Sequence, residues 1–432
     1  MASSWLQIPK ESPFSLANIP FGIISTKTIA TPVPAVAIGD YALNLATFAS
    51  SDGFALLPAI QSHLNVFYQR TLNAFAALGR PVHRQVREYL QVILKADTPY
   101  PHILKDNATL RKQALVAMAE VTSHLPMHIG DYTDFYAGLN HAYNVGVLFR
   151  GKENALQPNY RHMPVGYHGR ASSVVPSGTA IRRPSGQIVV DPAADPKLPT
   201  FSACKRLDVE IELAAFVGVG SNLGEPIPIG EAEDHLFGVV LMNDWSARDI
   251  QAWEYIPLGP FNGKNFATTV TPWVILMDAL ETFRTPGLEP ANRESLLPYL
   301  REERLNNCFD IHLEFELKNS GGRPTIVSKT NSSNLLFSFP QMLAHHTITG
   351  CNVNPGDLLG SGTISGNVPG TEGSLLEQTN GGKRPIRLAD GTERLFLEDG
   401  DEVVLRGMCG KEGGYVGFGD CVGVILPAIH MG

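Results

Sequence analysis

Acidic side chains set two residues apart on an otherwise apolar segment are the feature of this 432-residue chain that most invites chemistry. In residues 207–218 (LDVEIELAAFVG), Leu207, Val209, Ile211 and Leu213 alternate with Asp208, Glu210 and Glu212. Alternate residues of a strand share a face, so Glu210 and Glu212 point the same way, roughly 6–7 Å apart at the backbone. Standing alone, such a motif marks the solvated face of a half-buried strand. Its context argues for more. Residues 239–255 (VVLMNDWSARDIQAWEY) begin as a buried strand and end polar and aromatic-rich, with Asp244 where the apolar run stops. Strand ends are where ligands gather in many sheet proteins. Residues 130–154 (GDYTDFYAGLNHAYNVGVLFRGKEN) offer Asp134, Tyr136 and His141 within eight residues. With Thr133 as N-cap, a helix there would set Asp134 and His141 seven apart on one face. Singly, Asp134 is a favourable charge in a first helical turn and His141 a satisfied core or surface histidine. If the segments meet, Asp134, Glu210, Glu212 and Asp244 put four negative charges at one point. Such crowding requires proton uptake or a cation, and an all-oxygen ligand set favours calcium or magnesium over zinc.

The elements that must position these groups follow from composition and pattern. With 44% hydrophobic and 18% charged residues the chain is of ordinary globular make-up, and its net charge of −8 offers no basic surface for nucleic acid. No apolar run reaches membrane-spanning length, and MASSWLQIPKESPF has no basic segment leading into an apolar core. Five widely spaced cysteines, with no C-x-x-C pair, read as reduced thiols of a cytoplasmic protein. VAIGDYALNL predicts two short strands around a Gly-Asp turn, and residues 55–95 and 107–123 carry helical spacing. Beyond residue 125 come short apolar runs cut by Gly and Pro, the pattern of a β-rich domain. The pair Asp399-Gly400, between RLFLE and DEVVLRG, predicts a hairpin, and Asp390-Gly391 lies beside similar runs. The expected fold is therefore α+β and mainly β, with a small mixed domain over 1–122 and a large β-dominated domain over 123–432. Two Gly-rich segments mislead. GPFNGKN (259–265) is one residue short of a phosphate loop and has Asn265 where Ser or Thr belongs, and GVGSNLG (218–224) leads into EPIPIG where a dinucleotide fold needs a helix.

Four segments together resemble the fumarylacetoacetase family in its eukaryotic type: residues 130–154 above, MPVGYHGRASSVVPSGTAIRRP (163–184), MNDWSARDIQAWEYIPLGPFNGKNFATTVTPWV (242–274) and GDLLGSGTISG (356–366). IPFGIIST and VAIGD carry the likeness into the N-terminal part, while residues 283–300 and 318–335 fit it poorly. The resemblance implies a small SH3-like N-terminal barrel, a C-terminal mixed β-sandwich roll and a homodimer. It also implies hydrolysis of the C–C bond of fumarylacetoacetate to fumarate and acetoacetate, the last step of tyrosine and phenylalanine breakdown. Carried over residue by residue, it puts the metal carboxylates at Asp134, Glu210, Glu212 and Asp244. A second, magnesium-type set falls on Asp244, Lys264 and Thr268. The catalytic histidine falls on His141 and its partner acid on Glu377. Substrate contacts fall on Tyr136, Arg150, Gln251, Tyr255 and Thr363, with Tyr167, Arg248 and Lys264 in the same site.

The chemistry implied is that of a chelating 1,3-diketone acid, whose oxygens suit a hard cation (Ca2+ or Mg2+) that polarises a carbonyl. His141 would take a proton from water while Glu377 orients the ring. Arg248, Gln251 and Lys264 are the candidate donors to the oxyanion and the leaving enolate, and Arg150 could grip a substrate carboxylate. Each of these residues has an ordinary reading as well: Arg248 paired with Asp249 or Glu254, Lys264 solvated, the tyrosines core aromatics, Glu377 at the surface. Two rivals stand beside the main expectation: a hydrolase or decarboxylase of the same superfamily acting on another oxo-acid, and a catalytically silent metal-binding relative.

Overall fold

The computed structural model describes residues 3–191 and 193–429. Its organising element is a 13-stranded, largely antiparallel sheet. Along its main path run Leu115–Ala117, Tyr41–Asn44, Val33–Ile38, Phe21–Ser25, Trp273–Leu276, Leu236–Asp244, Ile211–Val217, Leu358–Gly360, Tyr132–Phe135 and Gly166–Gly169. The central strands Ile211–Val217 and Leu236–Asp244 are buried at every position, and their apolar runs are broken only by Glu212 and by Asn243 and Asp244. A second sheet, six-stranded, takes Thr325–Asn331, His312–Lys318, Glu402–Cys409, Cys421–Leu426 and Ile181–Arg182 in order, with Val416–Gly417 paired to Glu402–Cys409. The strand His312–Lys318 alternates buried and open positions, the signature of one covered face. Leu241, Leu313, Phe315, Leu405 and Trp245 pack into one core, and Trp245 donates to Thr269 Oγ1 at 2.8 Å. A second core lies beneath the helix Arg80–Leu94, around Phe21, Phe48, Phe67 and Phe75.

The α+β, sheet-dominated architecture is as the sequence predicts. The strands Val33–Ile38 and Tyr41–Asn44 turn where expected, and Arg80–Leu94 and Ala108–Ala114 supply the helices. The segment 115–124 differs: it holds Leu115–Ala117 and Thr122–His124 as strands, each paired to the N-terminal sheet. The two parts of the chain share one sheet, because Phe21–Ser25 pairs with Trp273–Leu276 (Phe21 opposite Val274). An ion network reinforces that seam: Arg80 reaches Glu233 at 2.5 Å and Asp278 at 3.2 Å. The hairpin expected at Asp399-Gly400 does not form. Glu402–Cys409 pairs with His312–Lys318 and Cys421–Leu426 instead, and Gly400 donates to Ile425 O. Asp390-Gly391 does turn a short hairpin, with Ile386 opposite Arg394 and Gly391 at a φ of +90° that favours glycine. All five cysteines are free, and no helix among the described residues is long and apolar enough to cross a membrane.

Candidate active site

Three strands of the large sheet bring the acidic groups together, the third separated from the other two by Leu358–Gly360. Glu212 lies on Ile211–Val217 opposite Met242, with Glu210 just before the strand, its amide donating to Asn243 Oδ1 at 3.1 Å. Asp244 ends Leu236–Asp244 and faces Thr268 across the ladder. Asp134 arrives on Tyr132–Phe135, which pairs in parallel with Leu358–Gly360 and antiparallel with Gly166–Gly169, setting Asp134 between Gly360 and Tyr167. The helix expected from Thr133 is thus corrected. Asp134 is a strand residue and the helix begins at Leu139, because pairing on both sides overrides the local capping signal. One ligand oxygen from each of Asp134, Glu210, Glu212 and Asp244 lies within 4.8 Å of the others. Gly360 makes room for this, since a Cβ there would sit 2.5 Å from Asp134 Oδ1 and 2.6 Å from Met242 Cε.

All four carboxylates are buried, which removes the solvated-face reading of the Glu210–Glu212 strand. Burial, then the neighbouring acids, pushes the Asp134 and Glu212 carboxyls well above the ordinary range. Burial also pushes Glu210 up, but Lys264, Arg248 and His141 outweigh it and hold that carboxyl down at about 2. Lys264 Nζ donates to Glu210 Oε2 and, at 2.5 Å, to Asp244 Oδ2. Burial alone would lower the ammonium, yet Asp244 and Glu210 raise it. Tyr167 OH donates to Asp244 Oδ2 at 2.7 Å and lies 3.3 Å from Asp134 Oδ2, and Thr268 Oγ1 donates to Asp244 Oδ1 at 3.1 Å. Glu212 Oε2 accepts from the Gly362 amide at 2.9 Å. Two oxygens, Asp134 Oδ1 and Glu212 Oε1, are buried with no hydrogen-bond partner among the described residues. Unsatisfied acceptors beside crowded acids are what a hard cation relieves, so the residues present fit calcium or magnesium.

His141 rides on the helix Leu139–Arg150, its ring almost fully enclosed. Its Nδ1 lies 2.6 Å from Glu377 Oε2, and its Nε2 lies 3.9 Å from Glu210 Oε1. A proton on Nδ1, given to Glu377, leaves the Nε2 lone pair on the side of the acidic cluster. Glu377 is not at the surface. It also accepts from Asn144 at 2.9 Å, Ser365 at 2.9 Å and Ser374 at 2.8 Å. Burial pushes its carboxyl up, but His141, Asn144 and Ser374 outweigh it and hold it low. The sequence reading passed over these three donors. Asn144 is three residues beyond His141 on one helix, and Ser374-x-x-Glu377 is a capping pattern, so both carried a signal.

A cavity of about 380 Å³ opens over this floor, within the usual range for small-ligand sites. His141, Glu210, Glu212 and Asp134 line it, and so do Tyr136, Arg150, Tyr167, Arg248, Gln251, Tyr255, Lys264 and Thr363. Of the expected site residues Asp244, Thr268 and Glu377 lie behind its walls. Arg248 pairs with Asp208 and Glu210, each at 2.8 Å, and not with Asp249 or Glu254. Arg150 spends Nε and Nη2 on the carbonyls of Asn154 and Ala155, at 3.0 and 2.6 Å, which fixes its plane at the cavity wall.

A carboxylate cluster beside an oriented histidine, at the floor of a ligand-sized cavity in a sheet-dominated α+β fold, defines an enzyme. Two family models match the chain, the one described as fumarylacetoacetate (FAA) hydrolase C-terminal over residues 132–425 and that described as fumarylacetoacetase N-terminal over 17–126. The chain therefore belongs to the fumarylacetoacetate hydrolase family. It is 76% identical to a fumarylacetoacetase of Aspergillus fumigatus over 99% of each chain, and 49% identical to human fumarylacetoacetase with the same coverage. Among solved structures, a fumarylacetoacetate hydrolase from psychrophilic Exiguobacterium antarcticum shares the fold at 15% identity. Its TM-score is 0.52, covering 95% of this chain and 99% of its own.

Proposed function

We propose that this chain hydrolyses the C–C bond of 4-fumarylacetoacetate to fumarate and acetoacetate, the closing step of tyrosine and phenylalanine catabolism. The observation that carries the reading is the juxtaposition of a 2.6 Å His141–Glu377 pair with the four-carboxylate cluster, Nε2 standing 3.9 Å from Glu210. A divalent cation, Ca2+ or Mg2+, held by oxygens of Asp134, Glu210, Glu212 and Asp244, would supply Lewis-acid polarisation of a diketone oxygen. Lys264, kept as an ammonium, serves as a counter-charge to Glu210 and Asp244, and Thr268 steadies Asp244. His141 Nε2 takes a proton from water, whose oxygen adds to the ketone carbon on the fumaryl side. Glu377 holds the ring and balances the imidazolium. Arg248, Gln251 and Lys264 donate to the developing oxyanion. The C–C bond then breaks, its electron pair leaves with the acetoacetate fragment as an enolate, and His141 returns the proton to carbon. Arg150 and Tyr255 at the rim, with Tyr136, Tyr167 and Thr363 deeper, fix the substrate's carboxylate and ketone ends.

The same reading includes a homodimer in the cytoplasm, and a division at residues 122/123 into a small SH3-like barrel and a larger roll. The two family matches change over at 127–131, a few residues beyond that division. The experiment for the activity follows loss of diketone absorbance on purified, metal-loaded protein. His141→Ala should abolish turnover while the cation still binds. Full turnover by that variant removes His141 from the reaction, and no turnover by the wild-type chain favours a silent metal-binding relative.

A further inference from the structure

Asp208 is a carboxylate that the proposed reaction does not use, yet it is wholly buried, with no exposed surface. Removing a carboxylate from water is costly unless its oxygens are fully engaged, and here they are. Oδ1 accepts from the amides of Val209 and Leu375, each at 2.8 Å. Oδ2 accepts from the Leu376 amide at 3.0 Å and from Arg248 Nε at 2.8 Å. These four donors come from three separate parts of the chain. Leu375 and Leu376 open the short helix Leu375–Gln378, whose third residue is Glu377. Arg248 opens the helix Arg248–Glu254, and the strand Leu207–Asp208 pairs with Ser246–Ala247 immediately before it. One side chain therefore clamps the base of the helix that presents Glu377 to His141 and, through the same oxygen, fixes the guanidinium plane of Arg248. That plane matters, because Nη1 reaches Glu210 at 2.8 Å while Nη2 is buried with no partner among the described residues. Ser374 already caps the Leu375–Gln378 turn through the Glu377 amide, so holding the turn does not by itself call for a second acceptor bearing a charge.

We infer that Asp208 is a positioning residue for the reaction: it ties Arg248 to the helix carrying Glu377, so that the water-activating pair and the oxyanion donor keep one fixed relation. The inference rests on the His141–Glu377 reading above. Asp208→Asn keeps the shape and removes the charge and one acceptor. Its kcat should fall about 10–100-fold, the usual loss when a group supporting a reactive side chain is removed, with KM and cation content unchanged. Coupling supplies the discriminating readout. If Asp208 acts through Glu377, the double variant Asp208→Asn/Glu377→Gln loses less than the product of the two single losses. A folded Asp208→Asn with wild-type kcat overturns the inference, and so do losses that multiply in full. Should Asp208→Asn fail to fold, Asp208→Glu, which keeps the charge and shifts the carboxyl, is read the same way: a lower kcat at unchanged KM supports the clamp, and an unchanged kcat overturns it. Failure of the underlying pair would show separately, as wild-type turnover in Glu377→Gln alone.

Discussion

Replacing Glu377 with glutamine isolates charge from geometry. Among the described residues, Glu377 Oε2 receives His141 Nδ1, Ser365 and Ser374, and Oε1 receives only Asn144. A glutamine therefore has one sensible orientation, its carbonyl oxygen in place of Oε2 and its amide nitrogen facing Asn144, whose own amide can turn to accept. The histidine tautomer and ring position survive, and only the negative charge is lost. That charge is needed when Nε2 takes the proton. Opposite charges at the observed 2.6 Å attract by about 6 kcal/mol at an effective dielectric of about 20. A neutral hydrogen bond recovers part of this, leaving a loss of about 3–4 kcal/mol, or roughly 10²–10³-fold in kcat. Steady-state diketone cleavage, with cation content measured on the same sample, reads the effect. A kcat within about threefold of wild type, in a variant that still binds the cation, would refute the charge-balancing role of Glu377.

Gly360→Ala should leave the fold intact but weaken cation binding about 10–100-fold, because the new methyl displaces Asp134 Oδ1; unchanged affinity by calorimetric titration would mean the strand shifts without cost. Glu302, buried and bonded by Asn307 and Ser338, has its carboxyl raised to about 7, mainly by burial. Because the folded state holds that proton while the unfolded chain releases it near pH 4.5, stability falls as pH rises from about 4.5 to 7, by at most about 3 kcal/mol, and stays reduced above that. Glu302→Gln should therefore gain melting temperature over wild type at pH 8 relative to pH 5, and a gap that does not vary with pH contradicts the assignment.

What the sequence made legible was periodic or local. The alternation around Glu210 and Glu212 placed both on one face, and Asp244 was recognisable where an apolar run ended. The partners that pairing over long separations supplies were not legible, as with Gly360 beside Asp134. The capping signal at Thr133 was outweighed by two strand neighbours. Asp399-Gly400 has the chemistry of a hairpin turn, but Glu402–Cys409 found longer partners elsewhere. Asp208 looked like part of a solvated acidic face, since nothing local announces that Arg248 and the amides of 375 and 376 converge on it.

The central claim is that Asp134, Glu210, Glu212 and Asp244 share one hard cation that the reaction requires. The direct measurement is elemental analysis of the purified chain together with turnover, before and after chelation and after adding back Ca2+ or Mg2+. The account predicts one cation per chain, loss of both cation and turnover on chelation, recovery of both on adding back, and neither in Glu212→Gln. A chain that stays fully active with fewer than one ion per ten molecules would contradict it.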